Sequence, residues 1–262
     1  MNGLPDYSAL WLIPAIMLPI FLIGWVVQLK TRNASWVDVI WALGVAACGV
    51  LAAVLGGGDP ALRLLTGAIY LLWFGRLGWH LLTRVVNDED EDGRYAHMRQ
   101  WAGGKAPLIF LLFYIMQASW VSIFTLPAVV IANGALPPVW AIVGGLTLIV
   151  VAWLGESLAD RQLAAFKRES GNKGKTCRKG LWRYSRHPNY FFEWLQWFGY
   201  PLLGLHAVYG DLLWFAPLIV FIFLYYVTGI PFTEQQAVRS RGEDYRRYQR
   251  NTSIFFPWSP KT

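Results

Sequence analysis

Asn189, Glu193, Gln196 and Tyr200 recur at steps of four, three and four within the otherwise apolar stretch PNYFFEWLQWFGYPLLG, residues 188–204. That spacing puts them on one face of a helix. An ionisable side chain such as Glu193 in so apolar a run marks a functional site by default; the alternative is a stripe that hydrogen-bonds neighbouring helices together. Immediately upstream lies the basic loop KTCRKGLWRYSRH, with Lys175, Arg178, Lys179, Arg183 and Arg186 leading into His187 and Pro188. Proline suits a first helical turn, where its missing N–H costs nothing. The free N–H groups of that helix start, set among cations, make a site for a phosphate or carboxylate. The rings of Trp182, Tyr184 and Tyr190 are interleaved there and offer flat surfaces on which a ring such as adenine can stack. A juxtamembrane cluster that contacts lipid head groups is the competing explanation of the same charges.

Three other groupings carry chemistry-bearing residues. Glu156, Asp160 and Lys167, spaced by four and seven, share a helical face. Arg76, His80 and Arg84 follow one another at steps of four, with Tyr70 and Trp73 continuing that side. A buried arginine requires an acceptor, and Asp38, Glu156 or Glu193 are the candidates; His80 is an acid or base by type. Asp88, Asp90, Asp92 and Gly93 open like a calcium loop, but Arg99 stands at the twelfth position where such a loop has glutamate. A solvated acidic turn paired with neighbouring basic residues is expected there, and no metal. Finally, Glu234, Gln235 and the tail GEDYRRYQRNTSIFFPW end in an aromatic cluster, which predicts a tail folded back over the site.

The elements that position these residues follow from composition. Of 262 residues, 55% are hydrophobic and only 15% charged, which excludes an ordinary soluble domain. Apolar runs long enough to cross a ~30 Å hydrocarbon core cover residues 8–29, 36–57, 61–83, 106–132, 137–159, 188–206 and 211–230. The expected fold is an all-α bundle of seven transmembrane helices forming a single membrane domain over 1–262. Lys30 and Arg32, then Arg84 to Lys105, Arg161 to Arg186 and the tail lie on alternate ends of the runs, whereas Arg63 flanks the other side. The positive-inside rule then puts the N-terminus outside and the C-terminus in the cytoplasm. The first run lacks a basic n-region and is too long for a signal peptide, so it reads as a retained helix. Cys48 lies in a run and Cys177 in a loop on the inner side; both read as free thiols. The net charge of +7 reflects those inner loops and anionic-lipid contact, not nucleic acid. No internal repeat is visible, which argues against a transporter.

The strings RNASWVDVIWALG, WFGRLGWHLLTR, GLWRYSRHPNYFFEWLQWFG and EDYRRYQRNTSIFFPW together resemble the bacterial membrane family called domain of unknown function 1295, within the steroid 5-alpha-reductase-like superfamily. The resemblance implies a seven-helix reductase of the inner membrane whose cytoplasmic half holds NADPH and reduces an activated carbon–carbon double bond of an apolar lipid or steroid-like enone. It makes residues 160–262 a cofactor-binding region similar to the C-terminal domain of 3-oxo-5-alpha-steroid 4-dehydrogenases. Asp160 and Lys167 match polar cofactor contacts, and Asn189 and Glu193 match the Asn and Glu of the NxxGE element, whose Gly is Phe192 here. Arg183, Tyr184, Arg186, His187, Tyr190, Glu234 and Tyr245 complete the implied cofactor set. In place of the steroid enzymes' Gln-Glu pair, the second helix offers Asp38 to polarise a carbonyl, a role that needs a pKa raised by burial. His80 joins it as a catalytic candidate. The RHPNY element, Glu234 and the YRRY tail also resemble isoprenylcysteine carboxyl methyltransferases, which bind S-adenosylmethionine. Those enzymes carry a Glu-Glu pair where this chain has Glu234-Gln235, and the basic loop suits the 2'-phosphate of NADPH better.

Overall fold

A computed structural model describes residues 5–88, 90–227 and 229–261. Among them the secondary structure is all helical. The chain divides into two compact units, one formed by Met1–Leu136 with His206–Tyr209, the other by Pro137–Leu205 with Gly210–Thr262.

The first unit holds α1 (Ala9–Thr31), α2 (Trp36–Leu55), α3 (Pro60–Asn87), α4 (Gly93–Ala102) and α5 (Ala106–Ile131). Small residues decide its packing. A Cβ on Gly49 of α2 would stand 2.3 Å from the Tyr70 ring, and one on Gly67 of α3 would stand 3.2 Å from Ala53. Where apolar surface gains nothing by leaving lipid, such close backbone approach supplies the dispersion that holds helices together. Tyr70 is fully buried, and its hydroxyl donates to the Phe124 carbonyl at 2.9 Å, tying α3 to α5. Asp59 starts α3 by accepting from the N–H groups of Ala61 and Leu62, with Pro60 in the first turn. At one end of this unit Asn133 accepts from the backbone N–H of Asp6 and of Gly57, and His206 meets the Leu136 carbonyl at 3.2 Å. Four segments that the charge pattern assigns to one side of the membrane thus meet. At the other end Ala34 N–H donates to Glu91 and Asp92 N–H to Ser35, so the 32–35 and 88–92 turns are joined.

The second unit is built on α6 (Val139–Arg168), 30 residues and therefore about 45 Å long, more than a hydrocarbon core requires. Against it lie α7 (Pro188–Gln196) and α8 (Gly199–Leu203), followed by α9 (Phe215–Ile222), α10 (Ile230–Arg241) and α11 (Glu243–Asn251). A Cβ on Gly155 of α6 would be 2.4 Å from the Phe192 ring, and one on Gly199 would be 2.8 Å from the Gly145 carbonyl oxygen. The missing side chains are what let α7 and α8 sit on α6. Gly242, at φ +53°, turns the chain between α10 and α11 in a conformation that glycine reaches without strain.

Among the described residues, five helical segments are long and apolar enough to span a membrane: Ala9–Thr31, Trp36–Leu55, Gly93–Ile131, Val139–Arg168 and Gly210–Arg241. They fall on five of the seven expected runs, and the other two differ from them. The α3 helix is long enough at 28 residues, but Arg63, Arg76, His80 and Arg84 lower its apolarity. The expected continuous span at 188–206 is instead two short helices of nine and five residues, interrupted at Trp197 and Phe198. Neither reaches across a hydrocarbon core by itself.

Candidate functional site

The second unit contains a cavity of about 890 Å³, within the range of roughly 300–1,000 Å³ typical of small-molecule sites. Its wall runs from the end of α6 through the 169–177 loop to the start of α7, and then to α10 and α11. One rim is cationic. Lys167, Lys173 and Lys175 line it, are exposed, and have no acceptor for their ammonium groups among the described residues.

The opposite wall is fixed by Glu234. Arg186 donates to it through Nε at 2.8 Å and Nη2 at 3.2 Å; His187 Nε2 lies 3.0 Å away, Tyr245 donates its hydroxyl at 2.8 Å, and Gln249 donates its amide. Arg186 also gives Nη1 to the carbonyls of Gln249 and Thr252. Four of the five guanidinium N–H groups are thus taken by groups the chain itself supplies, which a bidentate fork does well and a lysine cannot. With Nε2 donating to Glu234, His187 is held as the Nε2–H tautomer. Burial lowers its pKa and the neighbouring Arg186 charge lowers it further, more than Glu234 raises it. The ring of His187 stacks on Tyr190, centroids 5.5 Å apart and planes 10° from parallel, leaving a flat aromatic wall at the cavity. Burial likewise raises the pKa of the Tyr245 phenol, with Glu234 adding to the shift, so it serves as a donor.

Asp244, in the first turn of α11, ties the loop at Thr176 and Arg178 to that helix. It accepts from Thr176 N–H and from Arg178, each through its own carboxylate oxygen. Burial pulls the Asp244 pKa upward, but the bonds from Thr176 and the Arg178 charge outweigh it and hold it below the ordinary value. Thr176 is a buried residue of the cavity wall, and its side chain as well as its N–H interacts with Asp244. Unpaired ammonium groups on a cavity suit a ligand that carries several negative charges.

Of the residues expected from sequence, Lys167, Arg186, His187, Asn189, Tyr190 and Tyr245 come together on this cavity, and Glu234 stands behind three of them. Asp160, Arg183, Tyr184 and Glu193 are not on its wall. Arg183 and Tyr184 are exposed and face each other, the guanidinium 5.9 Å from the ring centroid. Glu193 accepts from Gln196 at 3.0 Å, and Gln196 in turn accepts from the Tyr200 hydroxyl at 3.3 Å. Glu193, Gln196 and Tyr200 thus form a hydrogen-bonded ladder along α7 and α8, and Asn189, at the other end of the stripe, reaches the cavity. Phe192, where the NxxGE element has glycine, fills the notch left by Gly155 and is not part of the wall. Trp182, expected to stack on a ligand, also lines the cavity; it is mostly buried and donates to the Ala159 carbonyl at 2.9 Å. Sequence reasoning missed Thr176, which lies in a loop with no periodicity to read, and Ser240 and Arg241 at the end of α10, where an exposed polar helix end gives no sign of a site.

In the first unit Asp38 is bonded to α4, not to Arg76. It accepts from Arg94 at 2.7 Å and from the Tyr95 hydroxyl at 2.6 Å, while Arg76 lies 5.9 Å from the Trp73 ring. His80 is exposed on α3, one end of a side on which Tyr70 and Trp73 are buried. The acidic turn behaves as a set of ion pairs: Asp92 with Arg84 and Arg94, Glu91 with Arg99. No metal-binding group of His, Cys, Asp or Glu exists among the described residues.

The tail does fold back. Ser185 donates to the Phe255 carbonyl, Arg186 N–H to that of Ser253 and Trp258 N–H to that of Tyr184. Phe255 is wholly buried among Phe191, Trp194 and Phe221.

Fold and site together define a helical membrane protein with a cation-rimmed cavity beside its longest helix. The family model described as protein of unknown function (DUF1295) matches residues 24–252. The chain belongs to that family, a steroid 5-alpha-reductase-like family. It is also similar to the uncharacterized protein C594.04c of Schizosaccharomyces pombe, 27% identical over 270 residues that cover 90% of this chain and 77% of that protein. No solved structure matches the chain.

Proposed function

We propose that the protein is an NADPH-dependent reductase of the bacterial inner membrane that acts on an activated carbon–carbon double bond of an apolar, lipid-like or steroid-like enone, with the cavity opening to the cytoplasm. The observation that carries this reading is the rim of three unpaired lysines on a cavity of about 890 Å³. NADPH carries three phosphate groups, whereas S-adenosylmethionine carries a sulfonium cation that such a rim would repel. The family to which the chain belongs supports the same class of reaction.

The residues present fit a dinucleotide. Lys167, Lys173 and Lys175 are placed to take its phosphates, the His187–Tyr190 pair offers a face for a ring, and the Asn189 side chain, without a hydrogen-bond partner among the described residues, is available to an amide or ribose. When bound, NADPH supplies a hydride to the substrate. The chain's own part is to hold the reacting groups together and exclude water. Glu234 fixes Arg186, His187 and Tyr245 before any ligand arrives, so little ordering is left for the moment of binding.

Thermal melts of the purified protein test the reading. NADPH at a hundred times its Kd stabilises the folded state by about 2.7 kcal/mol, and S-adenosylmethionine leaves the melting temperature unchanged. Stabilisation by S-adenosylmethionine alone would instead make the protein a methyltransferase of the isoprenylcysteine type.

A further inference from the structure

The α4 helix is fastened to the first unit by charge, with little apolar surface to hold it. Of its ten residues only Tyr95 is buried. Arg94 donates to Asp38 of α2 at 2.7 Å, and Tyr95 gives the same carboxylate its hydroxyl at 2.6 Å. Arg99 donates to Glu91 at 2.7 and 3.1 Å and reaches Gln28 of α1 at 3.2 Å. The Arg94 and Arg99 side chains are 42% and 19% exposed, so salt screens these pairs and each contributes little. After α4 the chain passes through Gly103, at φ +51°, and Gly104, neither with an atom within 4 Å of where a Cβ would stand. A segment with so few buried apolar contacts and so open a link is one that opens locally.

Two buried polar groups under α4 have no partner among the described residues, the Gln28 amide nitrogen and the Tyr114 hydroxyl. Gln28 is the residue that Arg99 holds through its amide oxygen. Tyr114 stands on α5 one turn after Phe110, whose ring centroid lies 4.5 Å from the Arg99 guanidinium. Its ring is also 3.2 Å from where a Cβ on Gly24 would stand, one turn before Gln28 on α1. The closed helix therefore seals both donors from water without supplying an acceptor, which opposes closure. Weak latches above and unpaired donors below bring the closed and open arrangements near each other in free energy.

We propose that α4 is a strap that opens over this end of the α1–α2–α5 bundle by release of Arg94 from Asp38 and of Arg99 from Glu91, and that it admits an apolar molecule whose acceptor oxygen is taken by the Tyr114 hydroxyl. The surroundings fix that class of ligand. The rings of Phe21 and Phe113 lie edge-on to Tyr114 at 6.2 and 6.3 Å, so the donor sits in an apolar aromatic setting that suits an uncharged body with one polar end. Asp38, spent on Arg94 and Tyr95 while the strap is closed, is freed when it opens. No residue of the cavity beside α6 takes part. The enone substrate proposed above belongs to this chemical class, and the inference rests on that reading only for the choice of probe.

The experiment uses the full-length protein in detergent micelles. Hydrogen exchange read by mass spectrometry should show the α4 amides exchanging at least about threefold faster in ~1 M salt than in ~0.01 M salt, while α2 and α5 change little. Asp38→Asn with Glu91→Gln should raise the low-salt rate to the high-salt one and leave it independent of salt. A long-chain α,β-unsaturated ketone, titrated by calorimetry, should bind about tenfold more tightly than the alkane of equal length, the scale of one hydrogen bond. Tyr114→Phe should erase that difference and leave the melting temperature without ketone unchanged, since its hydroxyl has no bond to lose. Salt-independent exchange of α4 in the unaltered protein overturns the strap, whether or not the double variant folds. Equal binding of ketone and alkane, binding of neither, or a preference that survives Tyr114→Phe overturns the ligand assigned to it. None of these outcomes bears on NADPH binding, which tests the reductase reading separately.

Discussion

Glu234 concentrates the greatest cost of any single side chain at the cavity. Its carboxylate and the Arg186 guanidinium are about nine-tenths buried, at 12% and 10% exposure. Removing one partner from a buried pair costs more than the pair contributes, since the other charge is left unmatched. Glu234→Gln should therefore lower stability by about 3 kcal/mol, seen as a lower melting temperature, and should weaken NADPH binding because Arg186, His187 and Tyr245 lose their common acceptor. Arg186→Lys, which keeps the charge but not the fork, should fall short of the parent in both measurements. His187 adds a pH dependence. Its pKa is depressed in the folded protein by burial and by Arg186, so the unfolded chain takes up a proton first as pH falls below the ordinary value of about 6.5. The stability contributed by neutral His187 is present above that pH and is lost as pH drops through the folded pKa. Melts recorded from pH 8 to pH 5 should show this decline, and His187→Gln should flatten it.

At the scale of elements, the packing of α7 on α6 and the returning tail decide whether the cavity wall forms. Phe192 occupies the space that Gly155 leaves, and a methyl group there would sit 2.4 Å from its ring. Gly155→Ala should cost about 1–3 kcal/mol by overpacking, and Gly155→Ala with Phe192→Gly should recover part of it, which a double-mutant cycle reads directly. The tail supplies the carbonyls of Thr252 and Ser253 to Arg186 and the ring of Phe255 to an otherwise aromatic cluster. Deleting residues 253–262 should expose Phe191 and Trp194, raise the fluorescence of a hydrophobic dye and abolish nucleotide binding. Retention of binding in that truncated chain would show that the tail is not part of the wall.

For the whole molecule, the pattern of basic residues and the meeting of the 57–59, 133–136 and 206–209 turns with Asp6 lead to one topological expectation. A reporter inserted after Ala135 should be accessible from outside the cell and one fused after Thr262 from the cytoplasm, as the positive-inside rule requires. The same membranes washed at high pH should retain the protein, because five helical segments among the described residues are long and apolar enough to span. Exposed Trp11, Trp79, Trp140 and Trp258 are the type of residue that anchors at an interface.

Composition and periodicity by themselves determined that this is an all-helical membrane chain, where most of its long helices begin and end, and that basic and aromatic residues near 167–190 converge. Those features depend on local free energies: apolar runs must satisfy their backbone within a helix, and Pro60, Pro188 and Gly242 set turns by their own geometry. Only the tertiary structure decided that the 188–206 run breaks after Gln196, that Glu193 and Gln196 serve each other, that Asp38 belongs to Arg94, and that Asp244 holds Thr176 on a cavity wall. Which acceptor a donor meets depends on residues far away in sequence, such as Thr176 with Asp244 or Arg186 with Glu234. Spacing along one helix does not encode such partners, because they are selected by how closely two helices approach, and that distance is set by single glycines such as Gly49 and Gly155.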